Sequence, residues 1–250
     1  YDPHLNGSFD ITAGLHMARE FLLQVGELGM LAATEFIDPI TPQYVADLLS
    51  WVAIGARTAE SQTHREMASG LSMPVGFKNG TGGSIQLAAD GVVAAQAVQA
   101  FLGVDADGKA AIVVTRGNSD CHIVLRGGSR GPNYDAISIA DAIGMLQRAG
   151  VRTRLVVDCS HANSDKDHTR QRIPFHDVLN QRIAGNGSIV GMMLESHLFE
   201  GKQTLDESNP GKLKYGISIT DACIGWEETT ELVTAAYQAL GSPKKMGARA

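Results

Sequence analysis

Six short runs of apolar residues recur along the chain, and each one ends at an ionisable residue. The runs cover residues 30–34, 52–56, 75–77, 121–125, 156–157 and 189–194. They lead into Glu35, Arg57, Lys78, Arg126, Asp158 and Glu195. Continuous apolar runs, as opposed to alternating ones, are typical of parallel strands that are buried on both faces. If such strands close into a ring, the residues that follow them converge on one face of the molecule.

Segments with helical spacing separate these runs. Residues 10–26 carry apolar side chains every three or four positions, which predicts a helix with one buried face. Further helices are predicted over residues 44–49, 58–70, 84–101, 135–149, 175–184 and 226–240, and another strand over 111–115. Strands that alternate with helices through short links indicate a parallel sheet wound in βα units.

The number of units suggests an incomplete barrel. We count about six βα units, preceded by a helix with no strand before it, whereas a (β/α)8 TIM barrel needs eight strands. We therefore predict an α/β fold of the (β/α)8 type that lacks its first two βα units, with residues 1–250 forming a single, N-terminally incomplete catalytic domain. We expect the gene product to extend upstream of Tyr1. An open sheet is the alternative, but neither GxGxxG nor GxxxxGK[ST] follows any strand, which argues against dinucleotide and P-loop folds.

Composition excludes several classes of function. The 250 residues are 44% hydrophobic, enough for one large core, and the net charge of −6 gives no reason to expect nucleic acid or an anionic membrane as partner. No apolar run approaches the roughly 18 residues that a membrane span requires. Three cysteines without CxxC spacing favour a reducing, cytoplasmic location over a disulfide framework. The basic C-terminal tail (Lys244, Lys245, Arg249) is expected to fray.

Three cations follow strands at equivalent positions. An arginine after a strand is commonly a surface ion pair, but Arg57, Lys78 and Arg126 together would repel one another without an anion between them. Arginine offers a planar fork that matches phosphate or carboxylate, and lysine offers a compact charge. The pattern therefore favours a small anionic substrate.

A second group combines one imidazole with two carboxylates. His161, Glu195 and Asp221 come from separate strand ends, and these donors suit zinc, manganese or iron. Their spacing is not a short local motif. A hydrogen-bonded loop histidine beside two solvated acids therefore remains an open alternative.

Four blocks of sequence resemble the class I 3-deoxy-D-arabino-heptulosonate 7-phosphate (DAHP) synthases, in the microbial type inhibited by a single aromatic amino acid. The blocks are GFKNGT (76–81), DCHIVLRGG (120–128), DCSHANS (158–164) and YGISITDACIGW (215–226). AIGART (53–58) and ESHL (195–198) extend the resemblance over essentially the whole chain.

The resemblance implies a barrel that condenses phosphoenolpyruvate with erythrose 4-phosphate, the first step of the shikimate pathway, with a divalent metal (manganese, iron, cobalt or zinc). It implies that Arg57, Arg126 and the backbone of Ala56 hold the phosphate of phosphoenolpyruvate. Lys78 would bind on the carboxylate side and, with His161, act in catalysis. Glu35 would line the same pocket. The implied metal ligands are His161, Glu195 and Asp221.

The resemblance also bears on regulation and assembly. Gly103 stands where phenylalanine-sensitive relatives usually have serine, which favours tyrosine as the inhibitor. A homo-oligomer, dimer or tetramer, is expected as well.

Two departures from the family pattern affect the site. The family's fourth metal ligand, a cysteine, and its Lys-Pro-Arg-Thr block would both lie upstream of Tyr1. In addition, residues 81–83 read Thr-Gly-Gly where the family commonly has aspartate after the threonine.

Three other interpretations stay open. One is a related barrel that joins phosphoenolpyruvate to another sugar phosphate. Another is a Schiff-base aldolase that uses Lys78, which would leave the metal triad unexplained. The third is a catalytically dead fragment that binds ligands or a partner.

Overall fold

Six parallel strands form the main sheet of the protein. The structure, a computed structural model, describes residues 2–105 and 107–241, so the expected fraying of the basic tail concerns residues outside the described part. The strands of the sheet are β1 (Ala33–Glu35), β2 (Trp51–Ile54), β3 (Val75–Lys78), β6 (His122–Leu125), β7 (Leu155–Asp158) and β8 (Ile189–Met193). Each coincides with one of the six apolar runs, so the strand predictions are confirmed.

The sheet order is β1-β2-β3-β6-β7-β8, with every neighbouring pair parallel. All residues of β3, β6 and β7 are buried, which explains why their sequences lack alternation. Residues from both edge strands, Ala33 of β1 and Met193 of β8, line one interior cavity of about 620 Å³. The sheet therefore curls into part of a (β/α)8 barrel, as the sequence predicted. Within the described residues, β1 and β8 are its two edges.

Seven α-helices accompany the strands in the described part of the chain. They are α1 (Ile11–Glu27), α2 (Pro42–Val45), α3 (Gln62–Gly70), α4 (Ile85–Gln96), α5 (Ala136–Arg148), α6 (Arg172–Ile183) and α7 (Trp226–Leu240). Helices α3 to α6 share a hydrophobic core with the sheet, in which Phe77, Ile123, Ala88 and Ile139 are all fully buried. A smaller core joins α6 and α7 through Phe175 and Leu232. No helix of the described residues combines the length and hydropathy needed to cross a membrane.

The prediction of a buried face on α1 is wrong. The helix forms where its periodicity predicts, and Asp10 caps it by accepting a hydrogen bond from the Ala13 amide, but none of its residues is buried. Its attachment is largely polar, because Arg19 binds Asp47 through two hydrogen bonds of 2.8 and 3.0 Å. Only Leu22 packs against the main core, and it is partly exposed.

The fourth predicted helix is too long. Helix α4 ends at Gln96, and Ala97 is already extended. Strand β4 (Ala100–Val104) then pairs antiparallel with β5 (Ala110–Val114) in a two-stranded hairpin separate from the main sheet. Thr115 holds the base of this hairpin, because its hydroxyl accepts a hydrogen bond from the Gln99 amide. Alanine and valine are compatible with both conformations, so composition did not mark the change from helix to strand.

Three smaller boundaries also differ. Helix α3 begins at Gln62, four residues after its predicted start. Helix α6 begins at Arg172, three residues before its predicted start, since Pro174 fits a first helical turn. The predicted helix over 44–49 is instead the short α2 followed by a 3-10 turn, Ala46–Leu48.

Candidate active site at the carboxyl ends of the strands

The three predicted metal ligands meet at one end of the sheet. His161 follows β7, Glu195 follows β8 and Asp221 lies in the loop before α7. The His161 Nε2 atom lies 3.7 Å from a Glu195 oxygen and 3.9 Å from an Asp221 oxygen. Two ligands that each lie ~2.1 Å from one ion can be up to about 4.2 Å apart, so this donor set fits a single divalent cation. In the described residues it is the one group of three or more His, Cys, Asp or Glu side chains that could hold a metal.

The carboxylates of this triad differ in their surroundings. The Glu195 side chain is 28% exposed, whereas that of Asp221 is 69% exposed. Burial raises the pKa of Glu195, and the nearby His161 offsets part of that rise. Glu195 is therefore the ligand whose charge is most costly to maintain without a cation beside it.

A buried amide fixes the backbone of Glu195. Gln171, at the start of α6, is fully buried. Its side-chain oxygen accepts a hydrogen bond of 2.8 Å from the Glu195 amide, and its nitrogen donates one of 3.0 Å to the Glu195 carbonyl. This two-point contact continues the backbone pairing beyond the end of β8 and sets the direction of the Glu195 side chain.

Asp158 lies beneath the triad at the end of β7 and is 2% exposed. Its Oδ2 atom is 2.9 Å from Nδ1 of His161 and 3.1 Å from Nζ of Lys78. Burial raises the pKa of this carboxyl, but the hydrogen bond from His161 and the charge of Lys78 outweigh it and hold the pKa well below its usual value. Asp158 is therefore a carboxylate at neutral pH, and Lys78 is its ion-pair partner.

Arg126 lies in the next cavity, which has a volume of about 720 Å³. Its wall also contains Thr81, Ser129, Lys166 and Arg170. Lys166 also lines the cavity of about 340 Å³ that contains His161, Glu195 and Asp221. A cation-lined cavity and the metal triad are thus neighbours with a shared wall.

Three buried asparagines hold the loop that carries Arg126. The Asn79 side-chain oxygen accepts hydrogen bonds from the Arg126 amide (2.8 Å) and from the Asn133 side chain (3.1 Å). Asn79 donates to the Gly127 carbonyl, and the Gly127 amide donates to Asn133. Asn163 accepts from the Asn133 amide and donates to the carbonyl groups of Leu125 and Asp158. These three side chains tie the ends of β3, β6 and β7 into one unit.

Gly127 is required in this unit for steric reasons. Its φ is +69°, and a Cβ atom there would lie 2.8 Å from the Cβ of Ala162. Both of its backbone polar groups are bound by the asparagines. The chain after β6 can therefore turn sharply without leaving a buried polar group unpaired.

The other predicted substrate-binding residues lie at the β1 and β2 ends of the sheet. Arg57 is exposed in the loop after β2, beside the half-buried Ala56. The Glu35 carboxylate sits against Gly55, where any Cβ would collide with it. Glu35 also lines a separate cavity of about 400 Å³ beneath α1. The structure thus brings Lys78 and Arg126 close to the metal triad, and places Glu35, Ala56 and Arg57 at neighbouring strand ends.

Gly103, predicted to affect inhibitor choice, is in the middle of β4 and pairs with Ala111 of β5. A Cβ atom at Gly103 would lie 2.6 Å from the Cγ2 atom of Val113, so a larger residue would displace that side chain.

Comparisons with known proteins identify the family. A model of the DAHP synthetase I family matches residues 1–234. The chain belongs to the DAHP synthetase I family. It is 50% identical over 239 residues to the Tyr-sensitive phospho-2-dehydro-3-deoxyheptonate aldolase of Escherichia coli, covering 96% of this chain and 67% of the relative. The Phe-sensitive enzyme of the same organism is 54% identical over 232 residues, covering 93% and 65%.

A solved structure in the DAHP synthetase I family has the same fold. The phospho-2-dehydro-3-deoxyheptonate aldolase of Francisella tularensis superposes with a TM-score of 0.90 at 44% identity, over 95% of this chain and 69% of that one. The chain therefore spans about two thirds of the length of the relatives that it matches.

The sequence reasoning missed the residues that support this site. It assigned no role to Gln171, Asn79, Asn133 or Asn163, and Asp158 was noted only as the end of a strand. A signal did exist for three of them, because Asn79, Asp158 and Asn163 stand within three residues of Lys78 or His161 in the same motif blocks. Gln171 and Asn133 stand outside those blocks and act through contacts that are distant in sequence.

Proposed function

We propose that this protein condenses phosphoenolpyruvate with D-erythrose 4-phosphate and water to give DAHP and phosphate. The observation that carries the proposal is the cation-lined cavity of Arg126 directly beside the His161–Glu195–Asp221 triad. Two phosphorylated substrates need cations for binding, and an aldehyde acceptor needs polarisation. Membership of the DAHP synthetase I family supports this reaction over a related barrel that would use another sugar phosphate.

The roles that we propose follow from the chemistry of each side chain. Arg126 and Arg57 neutralise the phosphate of phosphoenolpyruvate, aided by the Ala56 backbone, and Lys78 lies on the carboxylate side. His161, Glu195 and Asp221 would hold a divalent metal, which supplies Lewis-acid polarisation of the aldehyde. Glu35 contributes from the β1 side of the same end of the sheet. Neutralising charge in a restricted cavity and orienting two anions supply much of the rate effect.

The geometry disfavours a Schiff-base mechanism. The ammonium of Lys78 forms a buried ion pair with Asp158 at 3.1 Å. An amine that adds to a carbonyl needs a free lone pair, whereas Nζ of Lys78 is held by the Asp158 carboxylate. Lys78 is therefore suited to binding an anion. His161, whose Nδ1 atom is held by Asp158, is the other residue that we propose acts in catalysis.

An assay of phosphate release tests the proposed function. We expect the purified full-length protein to release phosphate from phosphoenolpyruvate only when erythrose 4-phosphate and a divalent metal are both present. A chelator should abolish the activity, and manganese, iron, cobalt or zinc added singly should restore it to different extents. Activity that persists in chelator would contradict the proposal. Covalent trapping of a substrate on Lys78 by borohydride would contradict it as well. A complete absence of turnover under all metals would favour a ligand-binding role.

We further propose that tyrosine inhibits the enzyme more strongly than phenylalanine does. Gly103 supports this choice, because phenylalanine-sensitive relatives usually have serine there, and a serine hydroxyl would leave less room for a ligand that carries a phenolic oxygen. Relatives of both kinds, Tyr-sensitive and Phe-sensitive, match the chain at similar identity, so overall similarity does not decide between them.

Titration of the activity with each aromatic amino acid checks the choice of inhibitor. We expect half-inhibition at a lower concentration of tyrosine than of phenylalanine, and the Gly103→Ser variant should shift the preference toward phenylalanine. Stronger inhibition of the unmodified protein by phenylalanine would rule the assignment out.

Two broader features complete the proposal. The resemblance to the family supports a homo-oligomer, a dimer or tetramer. The three cysteines, all of which are free and buried, support a cytoplasmic location.

A further inference from the structure

Asp158 contacts both halves of the proposed site through a single oxygen atom. The metal half is reached through His161, and the anion-binding half through Lys78. Oδ2 lies 2.9 Å from His161 Nδ1 and 3.1 Å from Lys78 Nζ. Oδ1 accepts hydrogen bonds from the Ser160 amide (3.0 Å) and the Ser160 hydroxyl (2.6 Å). Every close neighbour of this buried carboxylate is thus a donor, and one of those donors belongs to each half of the site.

These contacts determine which nitrogen of His161 carries a proton. The Ser160 hydroxyl gives its hydrogen to Asp158, so toward His161 Nδ1, 2.7 Å away, it can only accept. Asp158 is also an acceptor. Since both neighbours of Nδ1 accept, Nδ1 bears the hydrogen, and the lone pair of Nε2 is directed at Glu195 and Asp221. A metal-ligating histidine needs this arrangement.

The backbone of His161 shows that its orientation needs support. Its φ is +54°, a conformation that residues other than glycine rarely adopt, and Asp165 and Lys166 in the same loop also have φ of +58°. Hydrogen bonds from the Lys166 amide (2.6 Å) and the Ser164 hydroxyl (3.3 Å) to the His161 carbonyl hold this backbone conformation. The contacts to Asp158 and Ser160 orient the ring.

We propose that Asp158 is a positioning residue that couples cation binding at His161 to anion binding at Lys78. This inference rests on the proposed function, and it names the residue through which the two halves of the site communicate. When Nε2 coordinates a cation, Nδ1–H becomes a stronger donor and draws Oδ2 toward His161. The hold of Oδ2 on Lys78 then weakens, and the ammonium becomes more available to a ligand anion. Such coupling is reciprocal, so each ligand should tighten the binding of the other.

Cobalt and phosphoenolpyruvate titrations of the Asp158→Asn variant test this inference. Co²⁺ binding is followed by its visible absorption without substrate, and phosphoenolpyruvate binding by calorimetry with and without Co²⁺. We expect the variant to bind Co²⁺ about 10- to 100-fold more weakly, the usual effect of losing a carboxylate partner of a ligating histidine. We also expect Co²⁺ to tighten phosphoenolpyruvate binding in the unmodified protein and to do so much less in the variant.

Two further variants serve as controls. Asp165→Asn makes the same chemical change in the same loop, at an exposed residue whose side chain pairs with Arg170. Only its backbone amide, which the substitution retains, reaches the His161 carbonyl. It should retain the Co²⁺ affinity of the unmodified protein. His161→Gln should bind no Co²⁺ at this site and defines the background.

The outcomes separate failure of the inference from failure of the proposed function. If the unmodified protein binds both ligands and Asp158→Asn binds them as tightly and with the same coupling, the inference alone is overturned. If the unmodified protein binds neither ligand, the proposed function is wrong and the inference falls with it.

A measurement on the unmodified protein covers the case in which Asp158→Asn does not fold. Nitrogen-15 spectra of metal-free protein labelled in histidine report the tautomer of each ring, and His161→Gln identifies the signals of His161. We expect His161 to be protonated at Nδ1, and a ring protonated at Nε2 would overturn the inference.

Discussion

Arg126 illustrates, at the scale of the residue, how a charged side chain is held almost out of solvent. It is 9% exposed, its amide is bound to Asn79, and its side chain faces a cavity lined by two further cations, Lys166 and Arg170. No carboxylate of the described residues forms an ion pair with it. A guanidinium in this position is suited to a bound anion, because Asp165, a carboxylate in the same cavity wall, pairs with Arg170 and not with Arg126.

Replacement of Arg126 therefore gives a sharp test of its role. We expect Arg126→Ala to weaken phosphoenolpyruvate binding by about 2–4 kcal/mol, roughly 30- to 700-fold, because a phosphate would be left under-neutralised. The Michaelis constant for phosphoenolpyruvate and a direct binding titration measure the effect. Arg148→Ala, at the exposed end of α5, is the matched control and should change neither quantity. An unchanged Michaelis constant and turnover in Arg126→Ala would contradict the assigned role.

Residues differ in how far sequence predicts their place. His161 and Glu195 could be grouped because residues after parallel strands converge, whereas Asp221, expected at a strand end, lies in the loop before α7. The structure brings the ligand atoms of all three within 4.8 Å of one another. Asn133 and Gln171 could not be placed. Their partners are 30 and 24 positions away, and polar residues with no apolar periodicity carry no signal of burial.

At the scale of the element, close packing decides which glycines are replaceable. Gly91 in α4 lies against the buried ring of Phe77, and a Cβ atom there would come within 2.7 Å of Cδ1. Gly144 in α5 meets only the flexible end of Arg148, at 3.4 Å. The same substitution in these two helices should therefore have opposite effects.

We predict that Gly91→Ala destabilises the protein and that Gly144→Ala stabilises it. Alanine gains roughly 0.5–1 kcal/mol over glycine within a helix, whereas overpacking a core costs about 1–3 kcal/mol. At Gly91 the cost of overpacking exceeds the gain in helix stability. At Gly144 there is no overpacking, so only the gain remains. Urea unfolding of both variants measures the difference, and a Gly91→Ala variant as stable as Gly144→Ala would show that Phe77 can move.

Element boundaries show why composition alone was insufficient. The six strands could be predicted from the sequence because short continuous apolar runs are typical of buried parallel strands. The boundary between α4 and β4 could not, because both lie in one stretch rich in Ala and Val. The end of α4 depends on Thr115, whose contact with Gln99 spans 16 positions. The burial of α1 was overestimated for a related reason, since periodicity indicates an apolar face and not what covers it.

At the scale of the whole molecule, the cysteines report how the structure opens. Burial raises the pKa of Cys121 to about 12 and raises that of Cys159 as well, and both side chains are at most 2% exposed. Cys223 is 8% exposed, in the loop before α7, and its pKa is raised mainly by burial. A thiol reacts as the thiolate, so labelling of the first two requires that the core open.

We predict that these thiols react in a fixed order with iodoacetamide at pH 8. Cys223 should be labelled first through local opening, and Cys121 and Cys159 later and at a common rate set by larger opening. Peptide mapping by mass spectrometry at timed intervals measures each rate, and labelling in guanidinium gives the rate for the exposed thiols. Early labelling of Cys159 in the native protein would contradict the described burial of β7.

The β4–β5 hairpin has a consequence for how this fold can change over evolution. Among the described residues it pairs with none of the six parallel strands, and it lies between the end of α4 and the start of β6, away from the strand ends that carry Lys78 and Arg126. We therefore expect mutations in the hairpin to leave the register of the main sheet unchanged. Because we propose that Gly103 in this hairpin affects the choice of inhibitor, selection on these roughly fifteen residues would let duplicated genes differ in their inhibitor and keep the proposed reaction.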